Sequence, residues 1–254
     1  MRYIIFWVAL IAFEASGQSY TVIHVIGKIY DAQSGQYLTK GSKLASDANL
    51  KFETEDARAA VLSSSRGRFI VQHDATSNSQ SDALYALSSV ISPVRGRLST
   101  RAGGINNALD FQKHFNDGAV ALLGKQYEIE VSPSAFPMAE STFFYAQYQF
   151  NGETINKKLG SEENNLIIDL STFFSVDGNP IDPSQVSDAK LYYHDASKGS
   201  STFITDMNIN YVDDETLKSI AEQFPDNTEY VYELINSMYG KCTSEQVDKA
   251  LEDL

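Results

Sequence analysis

Cysteine is almost missing from this sequence: Cys242 is the one example in 254 residues. That excludes a disulfide framework within the chain and any multi-cysteine metal site. Tryptophan is equally scarce, with Trp7 alone. Beyond the first few residues no apolar run approaches the roughly 18 that mark a candidate spanning helix. Glycine and proline together fill only 21 positions, and 43% of the residues are hydrophobic. Collagen-like, low-complexity and disordered architectures are therefore out. Positive charge is in deficit, 20 Lys and Arg against 33 Asp and Glu, for a net charge of −13. Such a balance argues against nucleic acid as a partner.

Common chemical signatures are absent too. There is no Gly-x-Ser-x-Gly elbow, no phosphate-cradling glycine loop and no His-Glu-x-x-His helix. His24, His73, His114 and His194 fall in different predicted elements at no ligand spacing. Asp177-x-Asn179-x-x-Asp182 offers the oxygen ligands of a Ca²⁺ loop but lacks its regular spacing and distal bidentate Glu. A hairpin turn explains Asp-Gly-Asn-Pro better. Cys242 stands just before a helix start, where a thiolate is favoured, but no base is placed beside it. The expectation is a protein that is not an enzyme, with no catalytic residue, metal or cofactor.

What is present begins with Met1-Arg2-Tyr3, a short positive segment ahead of the apolar run Ile4 to Phe13. Its length suits a signal peptide; a spanning helix needs about 20 residues. Glu14-Ala15-Ser16-Gly17 then supplies small residues where a signal peptidase needs them for cleavage before Gln18. Residues 1–17 read as a signal peptide, and no cysteine adjoins the cleavage site for lipid attachment. The expected location is the periplasm or the cell surface, with no membrane span in the mature chain.

The mature chain reads as mainly β, with two antiparallel β-rich units and a C-terminal α-helical appendage. Residues 18–80 form the first unit. Thr21 to Ile26, Lys28 to Tyr30, Asn49 to Phe52, Ala59 to Leu62 and Arg68 to Val71 are its strands, too short for a helical period. Residues 81–125 read as a linker with short helices, the second at 106–115 using Leu109 and Phe115 as apolar contacts. Residues 126–211 form the second unit, probed by the period of two at Tyr127, Ile129 and Val131. From 212 the period becomes 3.6. Leu217, Ile220, Ala221 and Phe224 share one helical face, and Val231, Leu234, Ile235 and Met238 another. Thr243-x-x-Gln246 is a capping box for the last helix.

Charge is distributed unevenly. Residues 18–101 carry ten Lys and Arg against seven acids, whereas residues 102–254 carry nine against 25. Arg58, Arg66, Arg68, Arg95, Arg97 and Arg101 all fall in the first stretch. They are the candidate partner-binding residues, for an acidic partner surface. In the second unit the aromatic residues Tyr145, Tyr148, Tyr192 and Tyr193 are the candidate ligand platform. The bland alternative for them is core packing with cross-strand pairing.

Several short segments of the first unit share one pattern. Val25-Ile26-Gly27-Lys28-Ile29 comes first, then Tyr37-Leu38-x-x-Gly41-x-x-Leu44 and Leu50-x-Phe52. Ala59-Ala60-Val61 and Gly67-Arg68-Phe69-Ile70 follow. Over residues 20–72 this resembles the FecR-type domain, a small periplasmic or surface β module without catalytic residues. The family's named members are iron-uptake regulators that pass a signal from an outer-membrane receptor to a sigma factor. This chain departs from them in its cleavable signal and its lack of an internal transmembrane helix. The resemblance therefore implies location and type, a bacterial envelope β domain used for protein contacts.

The sequence thus predicts an exported, acidic, non-catalytic interaction or assembly module with envelope protein partners. The alternative is a carbohydrate-binding or glycan-hydrolysing module built on the second β unit. Hydrolysis needs only two carboxylates across a cleft. A third reading, docking through the acidic helices, requires an exposed apolar stripe on them. No feature of the sequence sets an oligomeric state.

Overall fold

A computed structural model describes residues 19–73, 84–94, 104–225 and 227–254. The expected signal peptide, the polar stretch 74–80 and Arg95, Arg97 and Arg101 lie outside the described residues. Two units divide the chain, Met1–Pro93 and Val94–Leu254. Both are built mainly from antiparallel sheets, and helices gather at the C-terminus. No helix among the described residues is long and apolar enough to cross a membrane.

In the first unit the β-branched run becomes β1 (Ser19–Ile26). After it come β2 (Ile29–Asp31), β3 (Gln36–Tyr37), β4 (Lys43–Ala45), β5 (Asn49–Phe52), β6 (Arg58–Ser63) and β7 (Gly67–Gln72). β8 (Tyr85–Ala86), a single helical turn α1 (Leu87–Val90) and β9 (Ile91–Pro93) complete it. The strands form two sheets, ordered β4-β1-β6-β7-β9 and β3-β2-β5-β8. Tyr20, Val22, Leu44, Val61 and Val71 of the first sheet meet Ile29 and Leu50 of the second in one core. Each fully buried aliphatic chain there contributes about 1.5–3 kcal/mol. Asp31 is buried at the β2–β3 turn, where its carboxylate accepts the Gln33 and Ser34 amides at 3.0 and 3.3 Å. Its charge is thereby satisfied and the turn is fixed.

The linker expected at 81–125 is divided between the units. Leu87 and Val90 lie in the first core and β9 pairs with β7, so this segment closes the first unit. Residues from 104 onward belong to the second unit, which starts with α2 (Ala108–Asn116), N-capped by Asn107. Phe111 and Phe115 are its buried contacts, one helical turn apart; Leu109, expected to face inward, is exposed. Leu109 is two positions from Phe111, which places it on the far side of the helix.

The second unit continues with β10 (Val120–Leu123), β11 (Gln126–Glu130), β12 (Thr142–Phe150), β13 (Glu153–Lys158), β14 (Gly160–Glu162) and β15 (Asn165–Asp169). After α3 (Leu170–Phe173) come β16 (Ser175–Val176), β17 (Asn179–Pro180), β18 (Ser187–Asp195), β19 (Ser200–Asp206) and β20 (Ile209–Val212). Sheet order is β13-β12-β18-β19 in the larger sheet and β11-β15-β14 in the smaller. The chain passes from one sheet to the other at Leu159, whose amide donates to Phe144 O at 3.0 Å. Phe111, Phe115, Tyr127, Phe144, Tyr148, Ile168 and Leu191 fill the core between α2 and the two sheets.

β10 and β20 pair in parallel, Val120 opposite Ile209 and Leu123 opposite Val212. All four β10 residues are buried, as parallel strands covered on both faces usually are. Val120 and Leu122 join the sheet core, and the alternate residues Ala121 and Leu123 turn toward the C-terminal helices. Those helices are α4 (Asp214–Ala221), α5 (Thr228–Met238) and α6 (Ser244–Glu252). Asp213, Asn227 and Thr243 cap them by accepting the amides of Thr216, Tyr230 and Gln246. Each cap is worth about 1 kcal/mol. Leu217, Ile220, Val231, Leu234, Ile235, Met238, Val247 and Ala250 are all buried. These apolar residues thus pack among the helices and against β10.

Candidate functional site

Two surfaces hold the residues singled out in the sequence. The first is the face of the five-stranded sheet opposite the core of Val61 and Val71, half-buried at Arg58 and Arg68. Register pairs Arg58 with Gln72, Ala60 with Ile70 and Leu62 with Arg68. Side chains two apart along a strand share a face, so Arg58 and Arg68 lie on the same side, opposite the core residues Ala59 and Val61. Arg66 is exposed in the turn that joins β6 to β7. Lys43 falls in the row of Arg68, through the pairs Lys43–Thr21 and Thr21–Leu62. Of the six candidate arginines, the structure puts Arg58 and Arg68 on one side of one hairpin and Arg66 in its turn.

The second surface is the outer face of β13-β12-β18-β19. Period two divides the four candidate tyrosines between its two sides. Tyr148 is fully buried, and its hydroxyl donates to Phe173 O at 2.7 Å. Burial pushes its phenol up to about 12. Tyr193 turns inward as well, donating to Pro137 O at 2.6 Å and packing on Phe136 and Phe144. Tyr148 is a core residue and Tyr193 packs half-buried against the core, so both stand on the other side of the sheet from Tyr145 and Tyr192. Tyr145 and Tyr192 remain outside, stacked at 5.1 Å between centroids with planes 9° apart.

Phe143, from the same aromatic run, and Phe203 complete that face. Phe203, 46% exposed, meets Tyr192 at 5.6 Å with planes 69° apart. Phe143 packs on His194 at 5.0 Å, and the Lys158 ammonium sits 4.3 Å from the Phe143 ring centroid. Beyond the rings, Gln147 donates to Asn156 Oδ1 and Gln149 to Thr154 Oγ1, each at 3.0 Å. The strand parity of Phe143 and Phe203 was the available signal, since each shares a face with Tyr145 or pairs with Tyr192. By register the face carries three charged side chains, Lys158, Lys190 and Asp206. A single carboxylate does not make the pair that glycoside hydrolysis uses.

Tyr148→Phe separates core from face. It leaves the Phe173 carbonyl buried without its donor, which costs about 1–3 kcal/mol. The expected result is a lower urea midpoint at unchanged slope, with ligand binding by the outer face unaltered.

The remaining candidates resolve into structural roles. Asp177 and Gly178, at φ 50° and 79°, make the two-residue turn of the β16–β17 hairpin, the geometry Asp-Gly favours. Asp182 accepts the Ser184 amide at 2.9 Å and the Ser184 hydroxyl at 2.7 Å, capping the short turn at Pro183–Gln185. Cys242 is buried, and its thiol is pushed up to about 12 by burial, the reverse of an activated nucleophile.

Between β11 and α6 lies a groove of about 300 Å³. Lys249–Glu128 at 2.8 Å and Lys125–Asp253 at 3.0 Å pair across it. Lys249 holds the Glu128 carboxyl below its usual range. Further hydrogen bonds lie close by. The Thr243 amide donates to Gln246 Oε1 at 2.8 Å, and the Gln246 backbone amide donates to Thr243 Oγ1 at 3.1 Å. The Tyr127 hydroxyl and His114 Nε2 share a hydrogen bond at 3.0 Å. The groove's ionic groups already pair with one another, so its chemistry is that of a fastening between helix and sheet.

No protein-family model matches this chain, and no curated protein matches it.

Proposed function

We propose that this chain is an exported protein of the bacterial cell envelope, working as a non-catalytic interaction module through protein–protein contacts. One observation carries the reading: exposed Arg66 stands in the turn that joins the strands of Arg58 and Arg68, two half-buried arginines of one sheet face. Guanidinium forks pair bidentately with carboxylates, so this face suits an acidic partner surface. The FecR-like pattern at 20–72 supports the same role, as a small sandwich-like β module at the periplasm or cell surface. The charged and apolar order of residues 1–17 supports export.

In-cell crosslinking of the tagged chain, followed by mass spectrometry of the adducts, tests this. The expected result is a small, reproducible set of envelope proteins. The adducts should disappear when Arg66 and Arg68 are changed to Glu together with Arg95 and Arg97, in a variant whose circular dichroism is unchanged. In vitro the association should weaken with salt, as contacts between exposed charges do. Adducts indifferent to the charge reversal, or none at all, would remove the proposal.

A further inference from the structure

We infer that the outer face of β13-β12-β18-β19 is a binding site for an extended, uncharged polysaccharide. This goes beyond the protein contacts of the first unit and rests on different residues. Tyr145, Tyr192 and Phe203 stand on three adjacent strands, so their rings form a strip across the sheet, in steps of 5.1 and 5.6 Å. Those steps are close to the repeat of an extended chain of pyranose rings. Parallel rings at 5.1 Å are too near to lie side by side in one plane, so Tyr145 and Tyr192 overlap in part and brace each other. Phe203, turned 69° from Tyr192, is the most exposed of the three. Aromatic rings of this kind pack on the C–H faces of sugars.

Polar groups flank the strip on both sides. Along β12 and β13, the Gln147–Asn156 and Gln149–Thr154 pairs use one amide N–H each. The second N–H of each glutamine remains for a ligand hydroxyl. On the other side, His194 is fixed by its 3.0 Å contact with Ser201. A surface of ring, amide and imidazole fits a chain rich in both C–H faces and hydroxyls.

Charge selects among ligand classes. Residues 102–254 carry nine Lys and Arg against 25 acids, a field that repels polyanions. On this face the acids thin to Asp206, beside Lys158 and Lys190. Neither lysine forms an ion pair among the described residues. Two cations are too few to recruit nucleic acid or an acidic polysaccharide against the field of the whole unit. The polar rows also deny a protein partner the broad, charge-free apolar centre that stable interfaces have. A neutral, hydroxylated polymer meets neither obstacle.

Affinity electrophoresis of the full chain, through gels containing laminarin, xyloglucan, dextran or alginate, tests the inference. The expected result is retardation by at least one of the three neutral polymers and none by alginate. Phe203→Ala and Tyr192→Ala should each weaken that binding by at least about tenfold, as truncating an aromatic anchor does. The first removes a half-exposed ring, so its fold is retained. Arg66→Glu and Tyr148→Phe should bind as the parent does, which separates failure here from failure of the docking role or of the core. No retardation by any neutral polymer overturns the inference. So does binding that survives both aromatic truncations, or binding to alginate alone that salt abolishes.

Discussion

Gly240→Ala lowers the melting temperature of the second unit by roughly 10 °C, for a loss of about 3 kcal/mol or more. Gly240 ends α5 at φ 120°, in the left-handed half of backbone space, where an L-residue costs about 1–3 kcal/mol. Steric overlap adds to that cost. A Cβ at this position overlaps the Ala119 carbonyl oxygen and comes within 2.6 Å of its carbon. Backbone atoms cannot rotate aside as a side chain does. The two segments are also tied on either side of the contact. Lys241 N donates to Ala119 O at 2.7 Å and Ala121 N donates to Lys241 O at 2.9 Å. Separating them to admit a methyl group pulls α5 and α6 away from β10. Gly118→Ala is the comparison: its φ is 88°, but nothing lies within 4 Å of the added atom. Calorimetry should show it losing about 1 kcal/mol or a little more, the conformational cost alone. Equal effects of the two substitutions would mean that the approach of Gly240 to Ala119 does not matter.

The C-terminal helices were the most legible part of this fold. Their signals are local: apolar residues at helical spacing, with a capping residue at Asn227 and a capping box at Thr243. The structure starts each helix at the residue after its cap. The short strands of the first unit were legible for the same reason, since β-branched runs and turn residues alternate within a few positions. The β10–β20 pair was not. Its partners are far apart in the sequence, and a parallel pairing has no turn to announce it. Val120-Ala121-Leu122-Leu123 did carry a trace, as an unbroken apolar run suits a strand buried on both faces. The helices follow the sheets as a C-terminal appendage, and β10 lies between their core and that of the sheets.

At the candidate platform the sequence held more than composition could extract. Tyr192 and Tyr193 are neighbours, so in a strand they must face opposite ways, and Tyr145 and Tyr148 are three apart with the same result. One of each pair was bound to enter the core. Which one depends on partners across the sheet, Phe136 and Phe144 for Tyr193 and Phe173 for Tyr148, and those contacts are not local. The same holds for the arginines. Their number and sign were readable, but the common face of Arg58 and Arg68 follows from the β6–β7 register.

Acidification should loosen the second unit through His114, before the capped carboxylates contribute. His114 lies near the end of α2, where burial lowers its pKa from the ordinary 6.5 to about 4. The Lys241 ammonium adds a like charge, held against the end of α2 by bonds to Lys113 O at 3.2 Å and His114 O at 2.7 Å. Facing the imidazole from β11 is the Tyr127 hydroxyl, and Cys242 bears on Tyr127 in turn. Tyr127 is itself held protonated by burial, so it can donate to a neutral imidazole but offers no counter-charge to a protonated one. The folded state therefore takes up its proton later than the unfolded chain as pH falls. Stability from this group is complete above pH 6.5 and declines toward pH 4, by about 1.4 kcal/mol per pH unit. Between pH 7.5 and 4.5 the loss reaches about 2.5 kcal/mol. Asp169, Asp182 and Asp195 are held below their ordinary range by caps and neighbours. Their contributions are present above about pH 4 and fade below it. The window above pH 4.5 thus belongs to the histidine. Hydrogen exchange in α2 and α6, corrected for the intrinsic rate, reads the second unit by itself. Protection there should fall across the window in the parent. In His114→Gln, which keeps an oxygen to accept from Tyr127, the profile should be flat. A variant that keeps the parent's slope would mean that the proton is taken up elsewhere. A flat profile would identify protonation of His114 beside Tyr127 as the event that loosens this part of the second unit.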